Sequence, residues 1–304
     1  MLEFAKITIE SKPLIDSYYY KYGERSCQHS FATNFCLNVK YKDIFVEKDG
    51  VLYISREGLD DDNYRTYLFP MCDRNDRVKL RKAVEEITED ARYYSKKVRF
   101  FTITKECKDI LYELYQDRFI IEGNRDLYEY IFTTERIATL PGRIHQSKRN
   151  LINKLYKTYE DKIVIKTIED ADKEEIRKMY MSWIDDHTGD NVSILQNEMK
   201  EFDLAIDNYE KLNMIGIAIY IEGMLAGFNF GSIISNDTYD GMVQKGNIDY
   251  NGIYELLNKE TAILIKDKIK YMNFEEDLGI EGLRKAKLIY DPEYMIEKYI
   301  ATEA

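Results

Sequence analysis

The sequence passes through the same order of predicted elements twice, and this repeat limits the folds open to the chain more than any other feature. Each half reads as a β-hairpin, a strand, a helix, a strand, a helix and a strand. β-rich runs flank Asp49-Gly50 in the first half and Glu222-Gly223-Met224 in the second, a pattern typical of hairpins. The length of 304 residues fits two such domains of about 150 residues each.

Hydrophobic periodicity and turn residues set the bounds of these elements. In the helix predicted at 76–94, apolar residues recur at spacings of four and three, which places one face toward a core: Leu80, Val84, Ile87, Ala91 and Tyr94. The first half also predicts strands at 43–47, 51–56, 66–69, 98–103 and 127–132, and helices at 30–38 and 105–115. The second half predicts strands at 163–167, 214–221, 225–234, 238–243, 271–274 and 295–300, and helices at 172–187, 195–211, 253–268 and 281–288.

This order of elements is that of the N-acetyltransferase-type (GNAT) fold. We therefore predict an α/β (α+β) protein made of two tandem GNAT-like acyltransferase domains, each a mixed sheet flanked by helices. The predicted domains span residues 1–140 and 161–304, and a basic linking helix spans 141–160.

Composition and missing motifs narrow the functional classes. The net charge of −11 argues against a protein that coats nucleic acid, because phosphate contacts need clustered Lys and Arg. The sequence shows no secretory signal and no apolar run long enough to span a bilayer, so we expect a cytoplasmic protein without a transmembrane segment. The four cysteines and three histidines show no paired ligand spacing, so we expect buried thiols and no metal site.

A basic island within 141–160 is the first segment with chemical potential, since five Lys and Arg residues face a single Glu there. Planar guanidinium groups and ammonium groups on one helix can bracket an anion such as phosphate. The alternative is a linking helix with a solvated basic face. The candidate binding residues are Arg143, His145, Lys148, Arg149, Asn150 and Asn153.

Three consecutive carboxylates, Glu275, Glu276 and Asp277, form the second segment, at the predicted end of a strand. Open α/β sheets place ligands at the carboxyl ends of their strands. Adjacent carboxylates are unfavourable unless cations answer them, and Arg284 and Lys287 of the following helix are local candidates. Structural ion pairing and recognition of an amine both fit this pattern.

The loop before the helix at 253–268 is the third segment. An acyl-CoA-dependent GNAT protein carries a Gly-rich loop here, whose backbone N–H groups hold the pyrophosphate. This loop has Gly252 as its one glycine after Gly246, so the usual cradle is missing or altered. The loop therefore disfavours ordinary acetyl transfer.

Three stretches together carry a family resemblance: Gly142-Arg-x-His-x-x-Lys-Arg-Asn-x-x-Asn153, Gly252-x-Tyr-x-x-x-Asn258 and Asn273-x-Glu-Glu-Asp-Leu-Gly-x-x-Gly-Leu-Arg-Lys-Ala-Lys287, with Tyr290, Pro292, Lys298 and Tyr299 behind. From about residue 20 to 300, the chain resembles the family of the phosphatidylglycerol lysyltransferase C-terminal domain. The resemblance implies a tandem GNAT fold. It also implies kinship with membrane-bound enzymes that move an amino acid from aminoacyl-tRNA to a lipid, and with Fem-type enzymes that move one to a peptidoglycan precursor. Unlike the lipid enzymes, this sequence shows no transmembrane domain.

The resemblance and the residues together predict transfer of an aminoacyl group from an activated donor of the aminoacyl-tRNA type to an amine or hydroxyl acceptor. An aminoacyl ester is already activated, so the protein must chiefly orient the acceptor and stabilise an oxyanion. The carboxylates at 275–277 would bind the donor's α-ammonium, and the basic island would hold a tRNA 3′ end or an anionic acceptor. The predicted catalytic residues, with the two tyrosines as donors to the leaving oxygen, are Asp277, Tyr254 and Tyr290.

Two other functions remain open at this point. One is an acyl-CoA-dependent N-acyltransferase that acts on a small amine. The other is a non-catalytic GNAT-like module that binds a small molecule. We expect no cofactor beyond a co-substrate, which would be acyl-CoA or aminoacyl-tRNA.

Overall fold

The computed structural model describes residues 2–169, 171–188 and 192–304. Side chains are described for these residues except within 185–196. The chain forms two compact units that exchange short segments. Unit 1 comprises Met1–Glu129, Glu276–Ile280 and Met295–Ala304, and unit 2 comprises Tyr130–Glu275 and Glu281–Tyr294. The domains expected from the sequence, 1–140 and 161–304, stay a prediction; Glu276–Ile280 and Met295–Ala304 lie within the second of them in sequence but are grouped with unit 1.

The sheet of unit 1 has the strand order β1-β2-β3-β4-β5-β14-β6 among the described residues. The predicted hairpin at Asp49-Gly50 is present. Strands β4 and β5 are parallel, and the other described pairings of this sheet are antiparallel. The last strand of the chain, β14, lies between β5 and β6. The strands are β1 (Ala5–Lys6), β2 (Asp43–Lys48), β3 (Val51–Arg56), β4 (Tyr64–Tyr67), β5 (Lys97–Thr104), β6 (Phe119–Gly123) and β14 (Lys298–Glu303).

Polar side chains cap three helices of unit 1. Ser30, Asp76 and Thr104 each accept a hydrogen bond from a backbone N–H in the first turn, which satisfies donors that a helix leaves unpaired. The predicted apolar face of the helix at 76–94 is buried from Leu80 to Ala91, whereas Tyr94 follows the end of the helix and is exposed. The helices are α1 (Lys12–Tyr22), α2 (Phe31–Cys36), α3 (Asn38–Tyr41), α4 (Arg77–Tyr93) and α5 (Lys105–Tyr115).

The sheet of unit 2 repeats this arrangement, with the described order β13-β7-β12-β11-β10-β9-β8. The hairpin predicted at Glu222-Gly223-Met224 joins β9 to β10, and β11 runs parallel to β12. The strands are β7 (Glu129–Thr133), β8 (Ile163–Thr167), β9 (Met214–Ile221), β10 (Met224–Ser235), β11 (Thr238–Gly246), β12 (Tyr271–Glu276) and β13 (Tyr294–Ile296). The helices are α6 (Thr134–Thr139), α7 (Gln146–Tyr159), α8 (Lys173–Thr188), α9 (Val192–Asp207), α10 (Ile253–Ile265) and α11 (Glu281–Leu288).

One predicted strand, at 295–300, is wrong as a single element. The chain there forms β13, which belongs to the second sheet, and then β14, which belongs to the first. Residues 294–301 are apolar except for Glu297 and Lys298, and this short polar break does not show that the strands on its two sides pair in different sheets. The other predicted strands and helices are present, several with the predicted bounds, although the helix predicted at 30–38 is divided into α2 and α3. No helix in the described part of the chain is long and apolar enough to cross a membrane.

Gly252, immediately before α10, provides a test of this architecture. Its φ is 104°, and a Cβ there would lie 2.9 Å from the backbone oxygen of Leu151 in α7. We expect Gly252→Ala to lower the free energy of unfolding by about 2 kcal/mol, from left-handed strain and this contact. Urea titration measures the loss. Gly282→Ala is the control, because it lies in α11 with open space around it and should stabilise by about 0.5–1 kcal/mol. Equal effects of the two changes would contradict the described packing.

Candidate functional site

The parallel strands at the centre of each sheet separate after a few residues. In unit 2, β11 pairs with β12 at Thr238–Asp240 only, although β11 continues beside β10 to Gly246. In unit 1, β4 pairs with β5 from Tyr64 to Tyr67. Beyond these points the facing backbone and side chains of the two strands are available to line a site, so each unit has a candidate position for ligand chemistry.

Tyr290 is the predicted catalytic residue with the most ordered hydroxyl group. It is buried in unit 2, where its hydroxyl oxygen accepts a hydrogen bond from Asn258 Nδ2 at 3.2 Å. The amide oxygen of Asn258 in turn accepts from Gln244 Nε2 at 2.8 Å. Burial raises the pKa of Tyr290, so its hydroxyl remains protonated at neutral pH. This chain of amides fixes the oxygen and leaves the phenolic proton available as a donor.

Two residues of the basic island also contact Tyr290. Lys148 is buried, and its Nζ lies 4.1 Å from the centroid of the Tyr290 ring. Burial lowers the pKa of Lys148, with Glu255 opposing that shift. His145 Nε2 lies 3.1 Å from the backbone oxygen of Tyr290, and His145 Nδ1 lies 2.7 Å from that of Pro141. A neutral imidazole has one N–H and can donate to only one of these oxygens.

The rest of the basic island does not converge on the same point. Arg149 donates to the backbone oxygens of Leu140 and Gly142 and so closes the turn before α7. Arg143 is exposed in the turn before α7, and Asn150 and Asn153 are exposed on α7. The predicted bracket of Arg143, Lys148 and Arg149 around one anion therefore separates into a buried ammonium group, a turn-stabilising guanidinium group and an exposed one.

The loop before α10 uses its own backbone donors. The N–H of Asn247 donates to Ala226 O, that of Tyr250 to Asn247 O and that of Ile253 to Tyr250 O. The N–H of Asp249 donates to Asn247 Oδ1. These groups are not available to hold a pyrophosphate. Tyr254, another predicted catalytic residue, donates its hydroxyl hydrogen to Gly246 O at 3.1 Å and so stabilises the same loop.

The motif that contains the three carboxylates crosses between the units. Glu275 is half-buried at the end of unit 2, with φ of 55° and its N–H bonded to Asn273 Oδ1. Glu276 and Asp277 belong to unit 1. In α11, Arg284 and Lys287 are half-buried, and Lys287 Nζ lies 5.8 Å from the centroid of the Tyr130 ring. The adjacent Lys285 pairs with Glu281 at 2.6 Å on the surface.

Asp277 is fully buried in unit 1, and both of its carboxylate oxygens accept hydrogen bonds. Arg125 Nη1 lies 3.0 Å from Oδ2, and the backbone N–H of Gly279 lies 2.9 Å from Oδ1. These bonds order the turn at 277–279. The predicted catalytic role of Asp277 stays a prediction, and the contacts described give it a structural task.

A second buried cluster in unit 1 surrounds Glu129. Lys298 Nζ lies 2.6 Å from Glu129 Oε1, and both side chains are about 99% buried. Ser26 Oγ and the backbone N–H of Cys27 also donate to the Glu129 carboxylate. Burial by itself would lower the pKa of Lys298, but the charge of Glu129 raises it overall. The pair is therefore ionised and internally satisfied.

Cys27, Glu129 and Glu276 have the spacing of a metal site, since their ligand atoms lie within 4.8 Å of one another. The Lys298 ammonium group already forms an ion pair with Glu129 at 2.6 Å, and a metal cation would have to displace it. This donor set does not fit a divalent ion as the residues stand. The four cysteines of the chain are buried thiols.

Sequence reasoning missed the lysine of the separated strand, Lys245 of β11. Its ammonium group lies over the rings of Tyr180 and Trp183, and burial lowers its pKa to about 8, with Glu198 opposing that shift. Successive side chains of a strand point to opposite faces, so Lys245 and Gln244 serve different faces of the sheet. A lysine in a strand that otherwise packs in a core was the signal available in the sequence.

Comparison with known proteins identifies the relatives of the chain. A family model described as phosphatidylglycerol lysyltransferase, C-terminal, matches residues 20–302. A conserved protein of unknown function from Bacteroides thetaiotaomicron is 29% identical, with a TM-score of 0.92 over the whole of both chains. An uncharacterized protein of Mycoplasmoides gallisepticum is 26% identical over 171 residues, which is 56% of this chain. The chain thus spans about half (54%) of that relative's length.

Two further solved structures, both below 25% identity, show the fold. The C-terminal domain of a putative lysylphosphatidylglycerol synthetase from Agrobacterium fabrum superposes with a TM-score of 0.66 at 12% identity, over 97% of this chain and 93% of that one. A tandem GNAT protein from the clavulanic acid pathway gives 0.52 at 8% identity, over 100% and 98%. The predicted tandem GNAT-like fold and the family resemblance are confirmed.

The buried Lys298–Glu129 pair makes the first prediction from this site. Lys298→Ala should lower the free energy of unfolding by about 3–5 kcal/mol, because it leaves Glu129 buried without its counter-charge. Denaturant titration measures this. Lys285→Ala is the matched control, since its pair with Glu281 has the same 2.6 Å separation but is exposed, and it should change stability by less than about 1 kcal/mol. The double variant Lys298→Met with Glu129→Leu should recover much of the loss; no recovery would contradict a charge-based cost.

His29 predicts an acid-dependent loss of stability. Burial, together with the charges of Arg74 and Lys298, lowers the pKa of His29 to about 3, although the charge of Glu129 opposes the shift. The unfolded chain binds this proton near pH 6.5, so stability should fall as pH decreases from about 6.5 toward 3. His29→Asn keeps an acceptor for the N–H of Glu24. The stability of this variant should depend on pH less steeply, because unfolding of the variant takes up as much as one proton fewer. Urea titrations at successive pH values compare the slopes; identical slopes would exclude His29 as the titrating group.

Proposed function

Because the chain belongs to the phosphatidylglycerol lysyltransferase C-terminal family, we propose that it is an aminoacyltransferase, which moves an amino acid from an aminoacyl-tRNA-type ester to an amine or hydroxyl acceptor. Family and fold support an acyltransferase-like function in general. The donor and the roles of individual residues are our proposal. The observation that carries it is the oriented, protonated hydroxyl of Tyr290.

Tyr290 is assigned as the general acid. The acceptor attacks the ester carbonyl, a tetrahedral intermediate forms, and the bond from the carbonyl carbon to the 3′-oxygen of the donor breaks. Tyr290 gives its proton to that leaving oxygen, and the proton released by the acceptor returns to Tyr290, so the enzyme is regenerated. Asn258 holds the phenolic oxygen from the other side at 3.2 Å and keeps the hydroxyl hydrogen directed away from itself.

Two other parts of unit 2 would position the donor. Glu275 directly follows Phe274, whose ring lies 6.1 Å from that of Tyr290, and we assign its carboxylate to the donor's α-ammonium group. The exposed side of α7 carries Lys154 and Lys157, and Arg143 is exposed in the turn before it; these charges suit the phosphates of a tRNA 3′ end. Asp277 is assigned a positioning role, through the turn that follows Glu275.

The loop before α10 weighs against acyl-CoA as donor. Four of its backbone N–H groups, those of residues 247, 249, 250 and 253, already donate within the protein. A pyrophosphate would have to break these bonds to bind there. If acetyl-CoA nevertheless raises the melting temperature by several degrees at saturation, acyl-CoA transfer replaces our proposal.

The test uses the full chain, a mixture of radiolabelled aminoacyl-tRNAs and a total extract as the source of acceptors. We expect label to leave the tRNA and appear in an acceptor fraction. Tyr290→Phe should lower this rate by about 10²–10⁴-fold, because the general acid is lost. Label that stays on tRNA with the wild-type chain, or an undiminished rate with Tyr290→Phe, would refute the assignment.

Tyr220→Phe is the matched control for this experiment. The Tyr220 hydroxyl also accepts a hydrogen bond at 3.2 Å, from the N–H of Asp172, and Lys166 lies 4.9 Å from its ring centroid. Tyr220→Phe therefore removes the same kind of hydrogen bond as Tyr290→Phe, in the same unit but away from the separated strands. We expect its transfer rate to stay within about twofold of the wild-type rate, because no proton transfer depends on it.

A further inference from the structure

We propose that Lys245 of β11 is an acylation site, at which the side-chain amine takes an acyl group from a small activated donor, namely an acyl phosphate or a thioester. The site goes beyond the proposed transfer, in which Lys245 has no part, because Lys245 and Gln244 serve opposite faces of β11. It rests on a cluster of Lys245 with two aromatic rings, all within unit 2.

Two aromatic rings of α8 hold the amine of Lys245. Its Nζ lies 2.9 Å from the ring centroid of Trp183 and 5.4 Å from that of Tyr180. The Tyr180 ring in turn stacks on Phe202 of α9 with the two centroids 3.8 Å apart, and both of these rings are buried. Packed rings, and not polar partners, therefore set the position of Nζ.

The charge of Lys245 has no close partner in the part of the chain that the structure describes. Its ammonium group forms no hydrogen bond and no ion pair there. Glu198 of α9 is the charged group that acts on it, from a greater distance. Its neighbour on β10 is Phe228, and β12 has already separated from β11 at this point. No described group therefore competes for the lone pair of the neutral amine.

Burial makes this amine a nucleophile near neutral pH. Desolvation lowers the pKa of Lys245 to about 8, although Glu198 opposes the shift. About a quarter of the amine is then neutral at pH 7.5, against about 0.1% for a lysine of ordinary pKa. The rings attract the cation, but the lost hydration outweighs that attraction. Because the side chain is half-buried and not sealed, a small donor reaches Nζ from the solvent.

The reaction is a substitution at the acyl carbon. The neutral Nζ attacks the carbonyl carbon of the donor, and a tetrahedral intermediate forms. The bond from this carbon to the phosphate oxygen, or to the thiol sulfur, then breaks, and the leaving group departs with the electron pair of that bond. Nζ gives one proton to the solvent, so the products are a neutral amide and inorganic phosphate or a thiol. Acylation removes the positive charge over Trp183, the sole tryptophan of the chain.

Competitive labelling of the full chain tests the site. The probes are acetyl phosphate and S-acetyl-N-acetylcysteamine, a thioester without the nucleotide of CoA, and peptide mass spectrometry follows each lysine between about pH 6.5 and 10. At pH 7.5 we expect Lys245 to react about tenfold faster than Lys162, or more, with one or both probes. Its rate should level off above about pH 9. The rate of Lys162, whose pKa is raised by Glu222, should rise throughout.

Lys162 and Lys166 are matched comparators within the same unit. Lys162 is exposed and pairs with Glu222 at 2.6 Å, and Lys166 is exposed with its Nζ 4.9 Å from the ring centroid of Tyr220. They reproduce a carboxylate partner and a ring contact without burial. Equal rates of Lys245 and these two lysines at pH 7.5, or a Lys245 rate that rises to pH 10 without levelling, would overturn the proposal.

The fluorescence of Trp183 gives an independent readout. In the wild-type chain its emission should change with the time course of Lys245 acetylation, because the cation over its ring is lost. Lys245→Arg keeps a cation there but has no amine to acylate, so its emission should stay constant, and a change of equal size would contradict the site. The peptide measurement needs no variant and decides the matter even if Lys245→Arg fails to fold. No tRNA is present, so none of these outcomes depends on aminoacyl transfer.

Discussion

The buried ion pair between Lys298 and Glu129 is the interaction on which the fold of unit 1 depends. Glu129 begins β7, Lys298 begins β14, and Ser26 and Cys27 join them from the segment before α2. Three distant parts of the sequence thus share one charge pair. Because both charges are away from water, each fixes the position of the other, and β14 enters the sheet beside β5 and β6 with its register set at Lys298.

The sequence allowed the local features of the fold to be predicted, since each has a short-range cause. Ser30 caps α2, Asp49-Gly50 turns the first hairpin, and the face from Leu80 to Ala91 is buried in α4. The tandem GNAT-like fold follows from the order of such elements. The change of sheet at Glu297 could not be predicted, because pairing partners far away in the sequence decide it and the charged pair Glu297-Lys298 does not by itself indicate a change of sheet.

The candidate site residues also differ in how far the sequence could predict them. Tyr290 was predicted from its place in a family-like stretch, but its fixation by Asn258 and Gln244 depends on α10 packing beside β11. Lys245 belonged to no motif, and only the folded chain shows its ammonium group over two aromatic rings. The carboxylates at 275–277 were adjacent in sequence, yet the chain assigns Glu275 to unit 2 and Asp277 to unit 1.

The position of β14 inside the first sheet has a consequence for how the chain acquires its structure during synthesis. A ribosome delivers β1 to β6 long before residues 298–303, so the first sheet stays open between β5 and β6 until those residues have emerged. Open strand edges and the acidic partner of Lys298 are exposed over that interval. Unit 1 is thus completed only when β14 is added, and the rate of translation between β6 and β14 sets how long its strand edges stay open.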